Sequence, residues 1–353
     1  MHAVISPPCR ALVVKLGHIG DVLVTTPVFT ALKQAFSGIK TTALVNQGTQ
    51  EMLLNNPDVD QVLVLHRRQP SRAQAVADQV KLLWALKAGR FDLALELSGG
   101  DRGAFVSLIS GAKVRVGFKP KKPHIRARAF NVLVDGSGTQ DHMVNVFLRQ
   151  VRALGVDPQD TGLKLYPSAT AVERAEAILA GQGLRPKEFC LVHPTSRWMF
   201  KSWVPEKVAA VVGHLAGRGF PVLLSAAPAG QELDFINKVA AHLDPAWPVV
   251  NLAGSLDLAT LGALIGRARL FFGVDSAPMH MAAALGTPVV ALFGPSGERM
   301  WGPWQVDCEV VAKDWDCRPC GQDGCHGSKI SRCLTELSVP EVTAAVDRLL
   351  SRT

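Results

Sequence analysis

The chain has 353 residues and a mass of 37.8 kDa, more than one hydrophobic core usually serves, so two domains of about 150–200 residues are expected. Apolar residues make up 48% and charged residues 19%, which excludes a disordered chain, and the best apolar run, residues 281–293, is broken by Gly286, Thr287 and Pro288, which excludes a spanning helix of roughly 18 residues. The net charge of +8 divides unevenly: residues 1–168 hold 21 Lys and Arg against 12 Asp and Glu, residues 169–353 hold 17 against 18, so the first half expects an anionic partner, either nucleic acid, a membrane surface or a phosphorylated substrate.

The opening MHAVISPPCR has no apolar signal-peptide core, so a cytoplasmic chain with reduced cysteines is expected. In chain order, residues 11–16, 41–45, 61–65 and 91–97 read as strands, and the spacing predicts helices over 21–36 and 72–87. The rhythm weakens from 113 to 138, resumes with a helix over 142–154, and breaks again over 155–167. A helix over 169–180 then opens a second series, with strands at 189–193, 220–224, 249–252, 270–274 and 288–293 and helices such as 205–216 between them. Alternation of this kind predicts an α/β chain of two doubly wound domains, 1–168 and 169–353. Ligands of such sheets bind beyond the carboxyl ends of the strands, so the two domains are expected to face each other across a cleft. Ser338 and Glu341 have capping-box spacing before a last helix over 340–351, which belongs to the second domain or packs back on the first.

Four segments carry candidate chemistry. The first strand runs into Lys15-Leu16-Gly17-His18-Ile19-Gly20-Asp21, where two glycines let the backbone turn tightly and Asp21 meets a helix start, either as a cap or as a reactive carboxylate. This is neither a Walker A loop nor a dinucleotide fingerprint. The strand over 270–274 ends at Asp275-Ser276-Ala277-Pro278, where a helix start offers free N–H groups to a phosphate, and His280 follows one turn later. Asp275 and Ser276 as mere caps are the competing reading. Thr195, Ser196, Arg197 and Lys201 gather hydroxyls and cations in a loop after another strand, as phosphate binding needs. Glu232 opens the next helix, placed either against a ribose hydroxyl or as a solvated carboxylate.

The stretches KLGHIGDVLVTTP, HPTSRWMFKSW and FFGVDSAPMHMAAALGTPVVALFGPS together resemble glycosyltransferase family 9, the ADP-heptose:lipopolysaccharide heptosyltransferases. The likeness runs over nearly the whole chain, and with CRPCGQDGCHGSKISRCL it is most similar to the heptosyltransferase III branch. The resemblance implies a GT-B fold, two Rossmann-like domains with the acceptor on the first and the ADP-heptose donor on the second. It implies transfer of heptose to the inner-core heptose of lipopolysaccharide by an inverting reaction. By the same resemblance Asp21 is the catalytic base and Lys201 the lysine at the donor phosphates. Thr195, Ser196, Glu232, Asp275, Ser276, Ala277 and His280 then complete the donor site. The glycine-rich stretch usual before the glutamate reads Ser225-Ala226-Ala227-Pro228 here. Other members of the family act on other inner-core hydroxyls, and a non-catalytic basic binding protein on the same scaffold is the competing class.

Residues 113–128 hold seven Lys or Arg and no carboxylate, so Lys119, Lys121, Lys122 and Arg126 are candidates for binding a phosphorylated lipopolysaccharide acceptor at the inner membrane surface. Nucleic acid is disfavoured, because Phe118 is the one aromatic there for base stacking. No cofactor is expected and no metal. Asp58-Val59-Asp60 and Asp314-Trp315-Asp316 read as surface turns, and Cys317, Cys320, Cys325 and Cys333 read as a loop of free thiols, with a Cys₄ zinc site as the competing reading.

Overall fold

The structure is a computed structural model describing residues 10–66, 71–120, 122, 124–136 and 141–353. It divides into two units, Met1–Tyr166 and Pro167–Thr353.

In the first unit the chain runs β1 (Arg10–Lys15), α1 (Ile19–Leu23), α2 (Thr26–Ala35), β2 (Lys40–Asn46), β3 (Gln61–Leu65), α3 (Arg72–Ala88), β4 (Leu93–Glu96), α4 (Asp101–Ile109), β5 (Val114–Phe118), β6 (Val132–Val134) and α5 (Met143–Arg152). All strands pair in parallel, in the order β3-β2-β1-β4-β5-β6. The strand order reverses between β1 and β4, and ligand crevices of doubly wound sheets open at such points. The single helix expected over 21–36 is two helices. Thr25 and Thr26 turn their hydroxyls back onto the carbonyls of Val22 and Leu23 at 2.6 and 2.9 Å, and Pro27 in the first turn of α2 has no N–H to continue the ladder.

The second unit runs α6 (Ala169–Gly181), β7 (Cys190–His193), α7 (Pro205–Gly217), β8 (Val222–Leu224), α8 (Gly230–Ala240), β9 (Val249–Asn251), α9 (Leu258–Arg267), β10 (Leu270–Val274), α10 (Ala277–Ala284), β11 (Val289–Phe293), α11 (Glu298–Trp301), β12 (Cys308–Ala312), α12 (Arg332–Thr335) and α13 (Val339–Leu350). Its parallel sheet, β12-β11-β10-β7-β8-β9, repeats the order of the first and reverses between β7 and β10. Fully apolar, buried strands such as Leu270–Val274 make the core. The last helix, left open between the two domains by the sequence, lies in that same core through Val342, Ala345, Val346 and Leu349. Its capping box is present, with Ser338 N–H donating to Glu341 at 2.7 Å. Among the described residues no helix is long and apolar enough to cross a membrane.

Candidate active site

Both units gather their polar groups at the carboxyl ends of the two strands flanking the point of reversal. In the first unit Asp21 is the third residue of α1, and the cap itself is His18, whose backbone N–H donates to Asp21 Oδ2 at 2.8 Å. Asp21 therefore does cap the helix, from inside it. Its other oxygen lies 3.9 Å from Lys15 Nζ. Gly17 makes room for this carboxylate, since a Cβ there would fall 2.8 Å from Asp21 Cβ and Oδ2. Asn46 Nδ2 donates to Gly17 O at 2.9 Å and holds the turn down.

Lys15 ends β1 and Glu96 ends β4, the strand beside it, and both side chains are buried. Lys15 Nζ donates to Leu97 O at 3.2 Å and stands 4.4 Å over the Phe147 ring. Glu96 accepts the N–H groups of Ser98 and Gly99 at 2.8 and 2.9 Å, and α4 passes so close that a Cβ on Gly103 would lie 2.2 Å from its Oε1. Burial pulls the Lys15 pKa down while Asp21 and Glu96 pull it back up. Burial likewise pushes Glu96 up, against the amide hydrogen bonds and the Lys15 charge. Asp21 thus has a buried cation beside it while its own side chain is only partly buried.

In the second unit Thr195 and Ser196 follow β7 and are buried, and Lys201 closes a short 3₁₀ turn, Met199–Lys201. Asp275 and Ser276 follow β10. Lys201 Nζ pairs with Asp275 Oδ2 at 2.6 Å, and the hydroxyl of Ser296, from the loop after β11, donates to the same oxygen. Ser276 is the N-cap of α10, yet its side chain caps nothing: Oγ is buried and has no hydrogen-bond partner. Capping alone therefore does not account for Ser276. Ala277 opens α10 beside it, half-buried, and His280 is buried one turn on with its ring edge-on to Trp301 at 6.3 Å.

Glu232 is buried in the first turn of α8, which removes the solvated reading. It accepts the Thr195 hydroxyl at 2.6 Å and the Ala227 N–H at 3.3 Å. Beneath this pair His193 meets Ser225 Oγ at 3.0 Å, and burial pushes the imidazole pKa down to about 4. The ring is consequently neutral at pH 7 and acts as a hydrogen-bonding strut.

Of the basic candidates, Lys119 and Lys122 are exposed, Arg126 is half-buried 3.7 Å from Asp101, and Lys121 lies outside the described residues. Arg115 in the same segment is structural, donating to the carbonyls of Ala129 and Ala112, each at 2.6 Å. Asp58 accepts Thr30 Oγ1 at 2.6 Å and Asp60 pairs with Lys33 and Lys40 at 2.6 and 3.0 Å, so both brace the edge of β2. Cys317, Cys320, Cys325 and Cys333 are free thiols. Among the described residues no three His, Cys, Asp or Glu side chains are grouped to hold a metal ion.

Residues 79–331 match the profile of glycosyltransferase family 9 (heptosyltransferase). The chain belongs to that family. It is 31% identical over 336 residues to lipopolysaccharide heptosyltransferase 3 of Escherichia coli, covering 94% of this chain and 96% of that one. A family 9 glycosyltransferase structure from Veillonella parvula superposes with a TM-score of 0.83 at 21% identity, covering 98% and 97% of the two chains. The E. coli heptosyltransferase WaaC with ADP-2-deoxy-2-fluoro heptose follows at 0.74 and 21%, covering 96% and 99%. These establish the fold of this family 9 glycosyltransferase as GT-B, built from two Rossmann-like domains.

Three features of the candidate site are not assigned by the sequence. Lys15 and Glu96 were visible as lone charges closing apolar strands, ALVVK and LALE. Ser296 follows β11 in a Gly-Pro-Ser turn. Each acquires its role from a neighbouring strand that is remote in the chain.

Proposed function

We propose that this glycosyltransferase moves heptose from ADP-L-glycero-D-manno-heptose to the inner-core heptose of lipopolysaccharide, as a transferase of the heptosyltransferase III type. The second domain is assigned the donor and the first the acceptor. The observation that carries this reading is the partnerless buried hydroxyl of Ser276 at the head of α10, directly after Asp275, which holds the ammonium of Lys201 at 2.6 Å. A helix N-terminus, a hydroxyl needing a partner and a cation together suit a pyrophosphate. The name of the 31% identical relative and the ADP-sugar in the WaaC structure supply the sugar and the acceptor class.

In this mechanism the acceptor hydroxyl attacks the anomeric carbon from the face opposite ADP, which inverts the configuration. Asp21 takes the hydroxyl proton as the new bond forms. The bond to the β-phosphate oxygen breaks, and Lys201 with the first amides of α10 meets the negative charge that develops there. A lysine has three N–H donors, so Lys201 keeps one on Asp275 while presenting others to phosphate. Thr195, Ser196, Glu232 and His280 complete the donor pocket. Lys119, Lys121, Lys122 and Arg126 hold the acceptor's phosphates. The acceptor is a membrane lipid, so the protein works peripherally at the cytoplasmic face of the inner membrane.

A strain lacking the gene tests this in the cell. Its lipopolysaccharide core should be lighter by one branch heptose, restored by the wild-type gene and not by an Asp21→Asn copy. An unchanged core mass would refute the assignment.

A further inference from the structure

The two helices on one face of the first sheet break the usual rule for surface helices. Leu82 and Leu86 of α3 and Val106 and Ile109 of α4 pack side by side on β1, β2 and β4. The opposite faces of such helices are ordinarily polar. On α3 the outward face instead shows Val76, Val80, Leu83 and Trp84, at i, i+4, i+7 and i+8, with Trp84 74% exposed. On α4 the outward residues include Phe105 and Leu108, and on the adjoining 3₁₀ turn Ile125–Ala129 the first residue is 73% exposed. Of thirteen large exposed hydrophobic residues among those described, seven lie on these three adjacent elements. Scattered apolar side chains need no explanation; a contiguous set of this size marks an interaction surface.

The charges around it identify the partner. The three elements carry Arg72, Lys81, Lys87, Arg102, Arg126 and Arg128 against two carboxylates, Asp78 and Asp101. Asp78 sits on the half-buried side of α3 and accepts Gln74 Nε2 at 3.0 Å, while Asp101 stands 3.7 Å from both Arg126 and His124. No carboxylate therefore shares the outward stripe of α3. Apolar side chains that include a tryptophan, framed by Lys and Arg, suit the boundary between acyl chains and anionic headgroups. A protein partner would need its own carboxylates placed around a matching apolar patch, whereas an anionic bilayer offers negative headgroups along the whole face.

We infer that the outward faces of α3 and α4 dock this protein on an anionic phospholipid bilayer, with Trp84 and its neighbours entering the headgroup layer. The inference deepens the peripheral location proposed above and rests on it, but binding to lipid is measured without the transfer reaction. The site differs from the acceptor patch at Lys119 and Lys122 yet adjoins it through Arg126.

The test is flotation of the full-length protein with vesicles of phosphatidylcholine alone or with one-third phosphatidylglycerol, free of lipopolysaccharide. The wild type should bind the anionic vesicles and release as salt rises. Brominated lipid should quench its fluorescence more than that of Trp84→Phe. Val80→Ser with Trp84→Ser, both at exposed positions, should lower partitioning about tenfold or more while leaving transfer to a deacylated, water-soluble acceptor unchanged. Equal vesicle binding by the double variant, or no binding by the wild type, would overturn the inference. So would a wild-type dimer that the double variant converts to monomer, since a second copy would then cover this face. Loss of transfer on both soluble and embedded acceptors with vesicle binding intact would count against the proposed reaction and leave the docking face standing.

Discussion

Asp21→Asn gives a folded protein that binds ADP as the wild type does and transfers heptose roughly 10²–10⁴ times more slowly, the usual contribution of a positioned general base. The substitution separates the two things Asp21 does. An amide oxygen still accepts the His18 N–H that Asp21 Oδ2 accepts at 2.8 Å, so the start of α1 survives. An amide cannot take a proton from the acceptor hydroxyl at neutral pH. Lys15, 3.9 Å from the other oxygen, keeps Glu96 as a neighbouring carboxylate, so the buried ammonium is not left without opposite charge. Thermal denaturation and ADP titration are the controls, and single-turnover transfer with saturating donor and acceptor is the readout. Turnover within a few-fold of wild type would remove Asp21 from the chemistry and leave it a capping residue.

Lys201→Met should lower turnover about 10²–10³-fold, the range found when one preorganised group that meets developing negative charge is deleted. It should weaken ADP binding as well. Part of any effect is structural, because Asp275 loses the partner at 2.6 Å and retains the Ser296 hydroxyl. Leaving a largely buried carboxylate without its charged partner costs about 3–5 kcal/mol. Adding Asp275→Asn to Lys201→Met removes the uncompensated charge, so melting temperature should recover while turnover stays low. Recovery of both would make Lys201 a structural ion-pair partner and nothing more.

The frame of the fold could be read because its central strands are continuous apolar runs. Gln61–Leu65 and Leu270–Val274 match the expected bounds, and most others differ by one or two residues. Three strands escaped notice for identifiable reasons. Val132–Val134 is apolar but only three residues long, and Cys308–Ala312 is interrupted by Glu309; both lie at sheet edges with largely half-exposed side chains. Val114–Phe118 contains Arg115, whose charge masks the pattern until its guanidinium is seen tying the carbonyls of Ala112 and Ala129.

The candidate site divides along similar lines. Asp21, Thr195, Lys201, Asp275 and Ser276 stand at or just beyond strand-to-helix turns whose residue types suggest phosphate or proton chemistry, and the roles proposed for them come from the family resemblance. Glu232 was ambiguous in sequence, because nothing local says that Thr195, 37 residues earlier, donates to it. Lys15 and Glu96 are legible only through strand pairing: β1 and β4 are neighbours, and Lys15 reaches the carbonyl of Leu97 across 82 residues of chain. The partnerless Ser276 hydroxyl is likewise a property of packing. Sequence pattern alone reads it as an ordinary N-cap.

The reaction itself is tested most directly with purified protein, ADP-L-glycero-D-manno-heptose and a lipopolysaccharide core acceptor that lacks the branch heptose. Mass spectrometry should show one added heptose for each ADP released, with fragment ions placing the new sugar on the inner-core heptose, and NMR of the product's anomeric position should show the inverted configuration. Addition at another inner-core position would contradict the heptosyltransferase III assignment, and donor turnover without any transfer to the core would contradict the proposed function altogether.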